Sequence, residues 1–245
     1  MRDLTPQVVQ SCTTSRGKIG TAYHIPLVNV SFISLLRSVS QERKGVIFLR
    51  KSHYVQTINH KDIDFLNALR CSGVCTKSQA THFISANRLK NFILDRTLEK
   101  CSHTLPSGKR QEVYRITAEG KAWIREHIDS LADRKFYSST GIQHDIQLMD
   151  KILSLSREER STMRCEAEIR DEFKERLQEL LLNRAYERYD QLYNAIQDRS
   201  ISMPDLAYGV DSFYEVVTSS YGEAEIQAKI EAVEAIGGNL EMERI

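Results

Sequence analysis

No stretch of this chain stays apolar for the roughly 18–20 residues that a bilayer-spanning helix needs, so nothing in it reads as a transmembrane segment. Met1-Arg2-Asp3-Leu4-Thr5 carries no apolar signal core, and a cytoplasmic location is the expectation. Low-complexity tracts and internal repeats are missing, which sets aside repeat architectures. Cysteine is scarce and awkwardly placed. Cys12, Cys71, Cys75, Cys101 and Cys165 are an odd number at irregular spacings, which argues against a disulfide framework. Cys71 and Cys75, with Cys101 and His103 beyond them, could be forced into a zinc site, but the same positions suit helix, turn and strand roles without a metal. None of the 7 histidines forms a His-x-His pair.

What the chain does have is charge, and it is divided. The formal net charge of +1 over 245 residues hides 22 Lys and Arg against 11 Asp and Glu in residues 1–140, and 12 against 22 in residues 141–245. A basic half attracts phosphate backbones without regard to sequence, and the alternative is two solvated surfaces with no partner. The change of sign predicts a domain boundary near Lys135–Gly141, with Ser138-Ser139-Thr140-Gly141 as a hinge. The expected layout is an accessory segment over 1–57, one domain over 58–137 and another over 141–245. In the first of these, Val28 to Leu36 and Val46 to Leu49 are apolar stretches of open state.

From Asn59 the pattern is legible. Asn59 can cap a helix carrying Ile63, Leu66 and Leu69, with Gly73 just past its end. Thr76 can cap Lys77 to Ile84, with Ala80 and Phe83 inward. Ser85 can cap a third helix from Ala86 to about Lys100, with Leu89, Phe92 and Ile93 on its buried side. Ser102 to Leu105, the turn Pro106-Ser107-Gly108 with Lys109 and Arg110, and Val113 to Ile116 then read as a β-hairpin with a basic tip. Thr117 caps a closing helix that contains Ala122, Trp123 and Ile124, with Trp123 buried. Three helices, hairpin, helix is the order of a winged helix-turn-helix. Its third helix would enter the major groove, presenting Asn87, Arg88, Lys90 and Asn91 to bases and phosphates, with Lys109 and Arg110 on the wing. The other use of such a module is dimerisation or partner docking.

The acidic half reads as an α/β core. Gln143 to Leu155 is an amphipathic helix opened by His144 and Asp145. Residues 172–198 form a charged helical stretch with Leu177, Leu181, Tyr189, Leu192 and Ile196 as its apolar stripe. Ile201 to Tyr208 and Ser212 to Thr218 read as strands, and Glu223 to Ile236 as a final helix. Met203-Pro204-Asp205 and Phe213-Tyr214-Glu215-Val216-Val217 therefore place two carboxylates on neighbouring strands. Mg²⁺ or Mn²⁺ needs hard oxygen ligands, and two carboxylates with water and phosphate oxygens suffice. Asp205 and Glu215 can converge on one ion, and Glu166 can add a ligand or orient a water. A nearby ammonium would stabilise charge developing on a phosphate. The plain alternative makes Asp205 a turn residue and Glu215 a polar-face strand position. Tyr186, Tyr189, Tyr193, Tyr208, Tyr214 and Tyr221 also raise the question of a covalent tyrosine, although most have spacings that suit packing. Ser219-Ser220-Tyr221-Gly222 is the loop best placed for a phosphate or strand contact.

The Pro-Asp and Glu-Val pair resembles the PD-(D/E)xK nuclease superfamily. With the winged helix, His144-Asp145 and Glu166-x-Glu-Ile-Arg170, residues 60–236 resemble plasmid replication-relaxation proteins and, in length and layout, MobC-type relaxases of mobilizable plasmids. The fold the resemblance implies is α+β, a winged helix followed by a restriction-endonuclease-like domain. The activity it implies is a metal-dependent nick at a plasmid transfer origin, made with relaxosome accessory and coupling proteins, with a homodimer as one assembly. The superfamily pattern has Lys two residues after the Glu, where this chain has Val217. Lys229 on the following helix is the migrated substitute that the resemblance suggests. The rival expectations are a non-catalytic DNA-binding regulator of plasmid replication or transcription and a restriction-type enzyme that cuts both strands.

Overall fold

Helix boundaries in this protein are written in its capping side chains. Asn59 Oδ1 accepts from the backbone N–H of Lys61 and Asp62, while Asp62 Oδ2 accepts from Asn59 N at 2.9 Å, and this reciprocal cap starts α1 (His60–Ser72). Gly73 ends α1 at φ +82°, a backbone conformation that L side chains rarely adopt, and its N–H returns to Leu69 O. In the computed structural model, residues 53–104, 108–138, 141–198 and 200–245 are described. The apolar stretches of the expected accessory segment, the hairpin tip 105–107 and residues 139–140 of the expected hinge lie outside them.

Cys75–Thr76 forms β1, and Thr76 caps α2 (Lys77–Phe83) together with Gln79. Ser85 caps α3 (Ala86–Leu94), and β2 (Leu98–Thr104) pairs antiparallel with β3 (Arg110–Ile116) from Leu98↔Ile116 to Thr104↔Arg110. β1 takes the other edge of β3, giving the order β1-β3-β2. Thr117 caps α4 (Ala118–His127). The third helix is shorter than its expected end near Lys100. The chain reverses at Asp95 and Arg96 (φ +61°), because Thr97 and Leu98 are drawn into the core, where Leu98 joins the ladder. Within α4, Ile124 is buried, but Trp123 is only half-buried, edge-on to Phe92 and stacked on His127, and Ala122 is exposed.

The second half contributes α5 (Ile142–Ser154), α6 (Arg157–Ser161), β4 (Arg164–Cys165), α7 (Glu166–Leu182) and α8 (Tyr186–Gln197). β5 (Leu206–Tyr208), β6 (Ser212–Val217), α9 (Glu223–Ile236) and β7 (Asn239–Arg244) follow. The single helical stretch expected over 172–198 is two helices. Arg184 adopts φ +59° and turns the chain, so Leu177 and Leu192 share one core instead of lying along one rod. The two expected strands are part of a four-stranded sheet of order β4-β5-β6-β7, antiparallel except for the β6·β7 pair. The fold is mixed α+β.

Side chains alternate across this sheet as strand geometry requires. Leu206, Tyr208, Tyr214 and Val216 join a core with Phe65 and Leu66 of α1 and Leu148, Met149 and Ile152 of α5. Ala207 and Phe213 join a second core with Ile169, Phe173, Leu192 and Val233. The first core corrects the expected division near Lys135–Gly141. Residues 52–245 group as one compact unit, because α5 spends its apolar face on α1 from the basic half. Arg70 fastens the join. Its guanidinium is buried and donates to Asn67 Oδ1, Lys135 O, Glu168 Oε2 and Met163 O at 2.7–2.9 Å. Among the described residues no helix is long and apolar enough to cross a membrane.

Candidate functional site

The β5·β6 register sets Leu206 opposite Tyr214, so the next position outward sets Asp205 opposite Glu215, with both side chains on one face. β5 starts only at Leu206, so here side chains replace the backbone ladder. Asp205 N donates to Glu215 Oε2 at 3.0 Å, and Val216 N donates to Asp205 Oδ2 at 3.0 Å. Each carboxylate is thus locked by the other strand. Both are buried, Glu215 completely.

Two cations answer this buried charge. Lys229, reaching in from α9, places Nζ 2.8 Å from Glu215 Oε1 and donates to Met203 O at 2.6 Å. That carbonyl lies before the ladder begins, and Pro204 holds Met203 away from helical backbone, which leaves the oxygen open to the lysine. The Tyr221 hydroxyl donates to the same Glu215 oxygen at 3.0 Å. From the other layer, His144 in the first turn of α5 sets Nε2 2.9 Å from Asp205 Oδ2, with Nδ1 3.3 Å from Asp145 Oδ1 and 3.4 Å from the Tyr137 hydroxyl. Gly73 backs this end of the site; a Cβ there would come within 3.1 Å of both Asp145 Oδ2 and the Tyr137 ring.

Burial alone would lower the His144 pKa, but hydrogen bonds and charge from Asp145 and Asp205 outweigh it and raise it to about 9. The imidazole is therefore cationic at neutral pH and can donate from both nitrogens. Burial, then the charge of Asp205, pushes the Glu215 carboxyl upward, and Lys229 and Tyr221 pull against that rise. Burial and the Glu215 charge also push the Tyr221 phenol upward. A cleft of about 530 Å³ borders the site, lined by Ser202, Tyr221, Ala228 and Lys229 with Glu225 and Glu231 beside them.

Of the residues singled out from sequence, Glu215 links Asp205 and Lys229, accepting from the Asp205 backbone N–H on one oxygen and pairing with Lys229 on the other. Glu166 does not join their hydrogen bonds. As the first residue of α7 it pairs with Arg170 one turn on, although it is close enough for its charge to act on Tyr221. Among the six tyrosines considered, Tyr221 alone donates to the carboxylate pair in this structure. Tyr208 and Tyr214 bond Glu241 and Glu243, Tyr189 and Tyr193 stack on each other, and Tyr186 is exposed. His144 and Asp145 were missed as site residues. Their signal was two ionisable side chains opening an amphipathic helix. Among the described residues no group of three or more His, Cys, Asp or Glu is arranged to hold a metal ion.

On the basic side, Asn87 and Lys90 of α3 are exposed and Asn91 is half-buried. Lys109 and Arg110 are exposed on the hairpin. Arg88 is a correction. It forks onto Asp62, with Nε 2.9 Å from Oδ1 and one Nη 2.7 Å from Oδ2, donates to Thr57 O, and lies over the Phe92 ring. Asp62 is fully buried, so this guanidinium is committed to holding α3 on α1. No family model matches the chain, and no curated protein or solved structure matches it either.

Proposed function

We propose that the chain is a DNA-binding, metal-dependent endonuclease that nicks one strand, of the relaxase kind that acts at a plasmid transfer origin in the cytoplasm. The observation that carries this reading is that Glu215 stands opposite Asp205 on the neighbouring strand and pairs with Lys229, since an acid pair and an ammonium are the working parts of a PD-(D/E)xK nuclease. The three-helix, hairpin, helix order, with Asn87, Lys90, Lys109 and Arg110 outward, supports a winged-helix DNA reader beside it.

The donor set fits a hard divalent cation. Two carboxylates face each other, the charge of one disfavours ionisation of the other, and a divalent cation would add to the relief that Lys229 and His144 already give. Asp205 and Glu215 would hold Mg²⁺ or Mn²⁺, which when bound supplies charge neutralisation at the scissile phosphate and a more acidic water. The chain's own groups do the rest. Lys229, steered by Met203 O, keeps an ammonium where charge on a phosphate oxygen develops. His144, held by Asp145, fixes the Asp205 carboxylate in orientation, as an imidazole behind an acidic group does. Tyr221 stands between the pair and the cleft.

The test is incubation of supercoiled plasmid carrying a transfer origin with Mg²⁺ or Mn²⁺, counting cut strands. Open circles that form only with metal support nicking; linear product at the same rate points to a double-strand cutter. One observation favours a second reading, a non-catalytic regulator. Both Glu215 oxygens already accept from protein donors, so the site can stand as a closed ion network. Sequence-selective DNA binding with intact plasmid under every metal condition would favour that reading.

A further inference from the structure

The basic half does not supply all of the positive charge near α3. α6, which belongs to the acidic half, carries Arg157 and Arg160 to the start of α1 and the end of α2, and a groove of about 230 Å³ opens between them. Lys61 and His60 form one wall and His82 another, all exposed. Among the described residues the one carboxylate on the lining is Asp64, 3.5 Å from Arg157 Nε, and the Arg157 side chain remains 61% exposed. Arg160 is braced, with its guanidinium 5.6 Å from the Phe83 ring centroid and one Nη bonded to Leu155 O. Its Nε is buried and has no hydrogen-bond partner among the described residues. Exposed cations gathered around a braced guanidinium, with one partly exposed carboxylate among them, can donate to the oxygens of a phosphate. The groove also borders the recognition surface. His82 lies in the last turn of α2, just ahead of the Ser85 cap of α3, and Arg88 of α3 reaches Thr57 and Asp62 at the beginning of α1.

We propose that this groove is a second DNA contact, which seats backbone phosphates of the duplex flanking the segment faced by α3. The inference rests on the DNA-binding reading above and is independent of whether the protein cuts. It assigns Lys61 and Arg157 as phosphate contacts, Arg160 as the fixed floor, and α6 as the element through which the acidic half grips the same duplex. Contacts of this kind position the protein without selecting sequence.

The experiment uses the full chain in EDTA, so that cleavage plays no part. Fluorescence anisotropy measures duplex binding across a salt series for the wild type, Lys61→Gln/Arg157→Gln and Lys61→Glu. The double variant is expected to weaken cognate and unrelated duplexes by the same factor. It should also lower the steepness of log K against log salt by about 1.8, about 0.9 for each phosphate left without its cation. Lys61→Glu should weaken binding further than neutralisation of Lys61 alone. An unchanged slope and affinity in both variants would overturn the proposal. Loss in the variants of tight RNA binding, with duplex DNA unaffected, would also overturn it, by giving the groove to RNA. A wild type that binds no duplex removes the DNA-binding reading together with the groove, whereas duplex binding without nicking removes only the endonuclease.

Discussion

Lys229 Nζ lies 2.8 Å from Glu215 Oε1, although one side chain comes from α9 and the other from β6, and Val217 occupies the place where a strand-borne lysine would stand. Moving the ammonium from strand to helix preserves the contact. The lysine now enters from the layer that covers the sheet and is held by a carbonyl ahead of β5.

This pair is buried, so breaking it should cost stability as well as activity. Lys229→Met leaves the Glu215 charge uncompensated and should lower unfolding free energy by about 3–5 kcal/mol, the range for half of a buried pair. Adding Glu215→Gln should restore much of that loss, because the orphaned charge is gone. Urea unfolding of the single and double variants reads both effects. A Lys229→Met protein as stable as the wild type would show that the contact carries no charge of consequence.

The His144 cluster makes a prediction about pH. Its folded pKa is raised to about 9 from an unfolded value near 6.5, so its contribution is complete below about 6.5 and is lost as pH rises towards 9. Glu215, also raised, acts in the same direction at lower pH. Unfolding free energy should therefore fall between about pH 6.5 and 9 in the wild type, and His144→Gln should flatten that fall with Glu215 still in place. Parallel curves for the two proteins would contradict the imidazolium.

Arg88 and Lys90 share a helix but should behave differently. Arg88→Ala strands the buried Asp62 carboxylate and should destabilise the fold by about 3–5 kcal/mol, with partial recovery when Asp62→Asn is added. Lys90→Ala should leave stability within about 0.5 kcal/mol and weaken DNA binding instead. Thermal unfolding beside an electrophoretic shift distinguishes them. A strong loss of stability in Lys90→Ala would contradict its exposed position on α3.

Arg70 predicts that the two halves unfold together. Arg70→Met removes the donors shared by Asn67, Lys135, Met163 and Glu168, and should cost about 3–5 kcal/mol. Arg70→Lys should rescue little, because one ammonium cannot span a planar fork of acceptors. Fluorescence of Trp123 reports the basic half, and near-ultraviolet dichroism reports the tyrosine-rich acidic half. Coincident transitions are expected, and two separate transitions would contradict a single unit.

What could be read from sequence was local. Asn59, Thr76, Ser85 and Thr117 mark helix starts because the capping bond is made within three residues, and α9 begins and ends where its apolar spacing says. The carboxylate pair was legible because two short strands around a turn bring positions ten apart face to face. β4 is too short for alternation to show, and β7 pairs in parallel with a strand a whole helix away. Burial of His144 and Asp145 depends on what covers the start of α5, and Gly73 and Tyr137, which lie against it, come from the other half of the chain. The shared core was hidden for the same reason. Periodicity shows that α5 has an apolar face, but not whose helix meets it.

The most direct measurement is strand scission of supercoiled plasmid in Mn²⁺ by the wild type, Asp205→Asn, Glu215→Gln and Lys229→Met, each confirmed as folded by circular dichroism and as able to bind duplex in EDTA. The account predicts open circles from the wild type alone, with rates lowered by at least roughly a hundredfold in each variant, the scale of losing one charge-stabilising group. Nicking by Asp205→Asn and Glu215→Gln at the wild-type rate would contradict it.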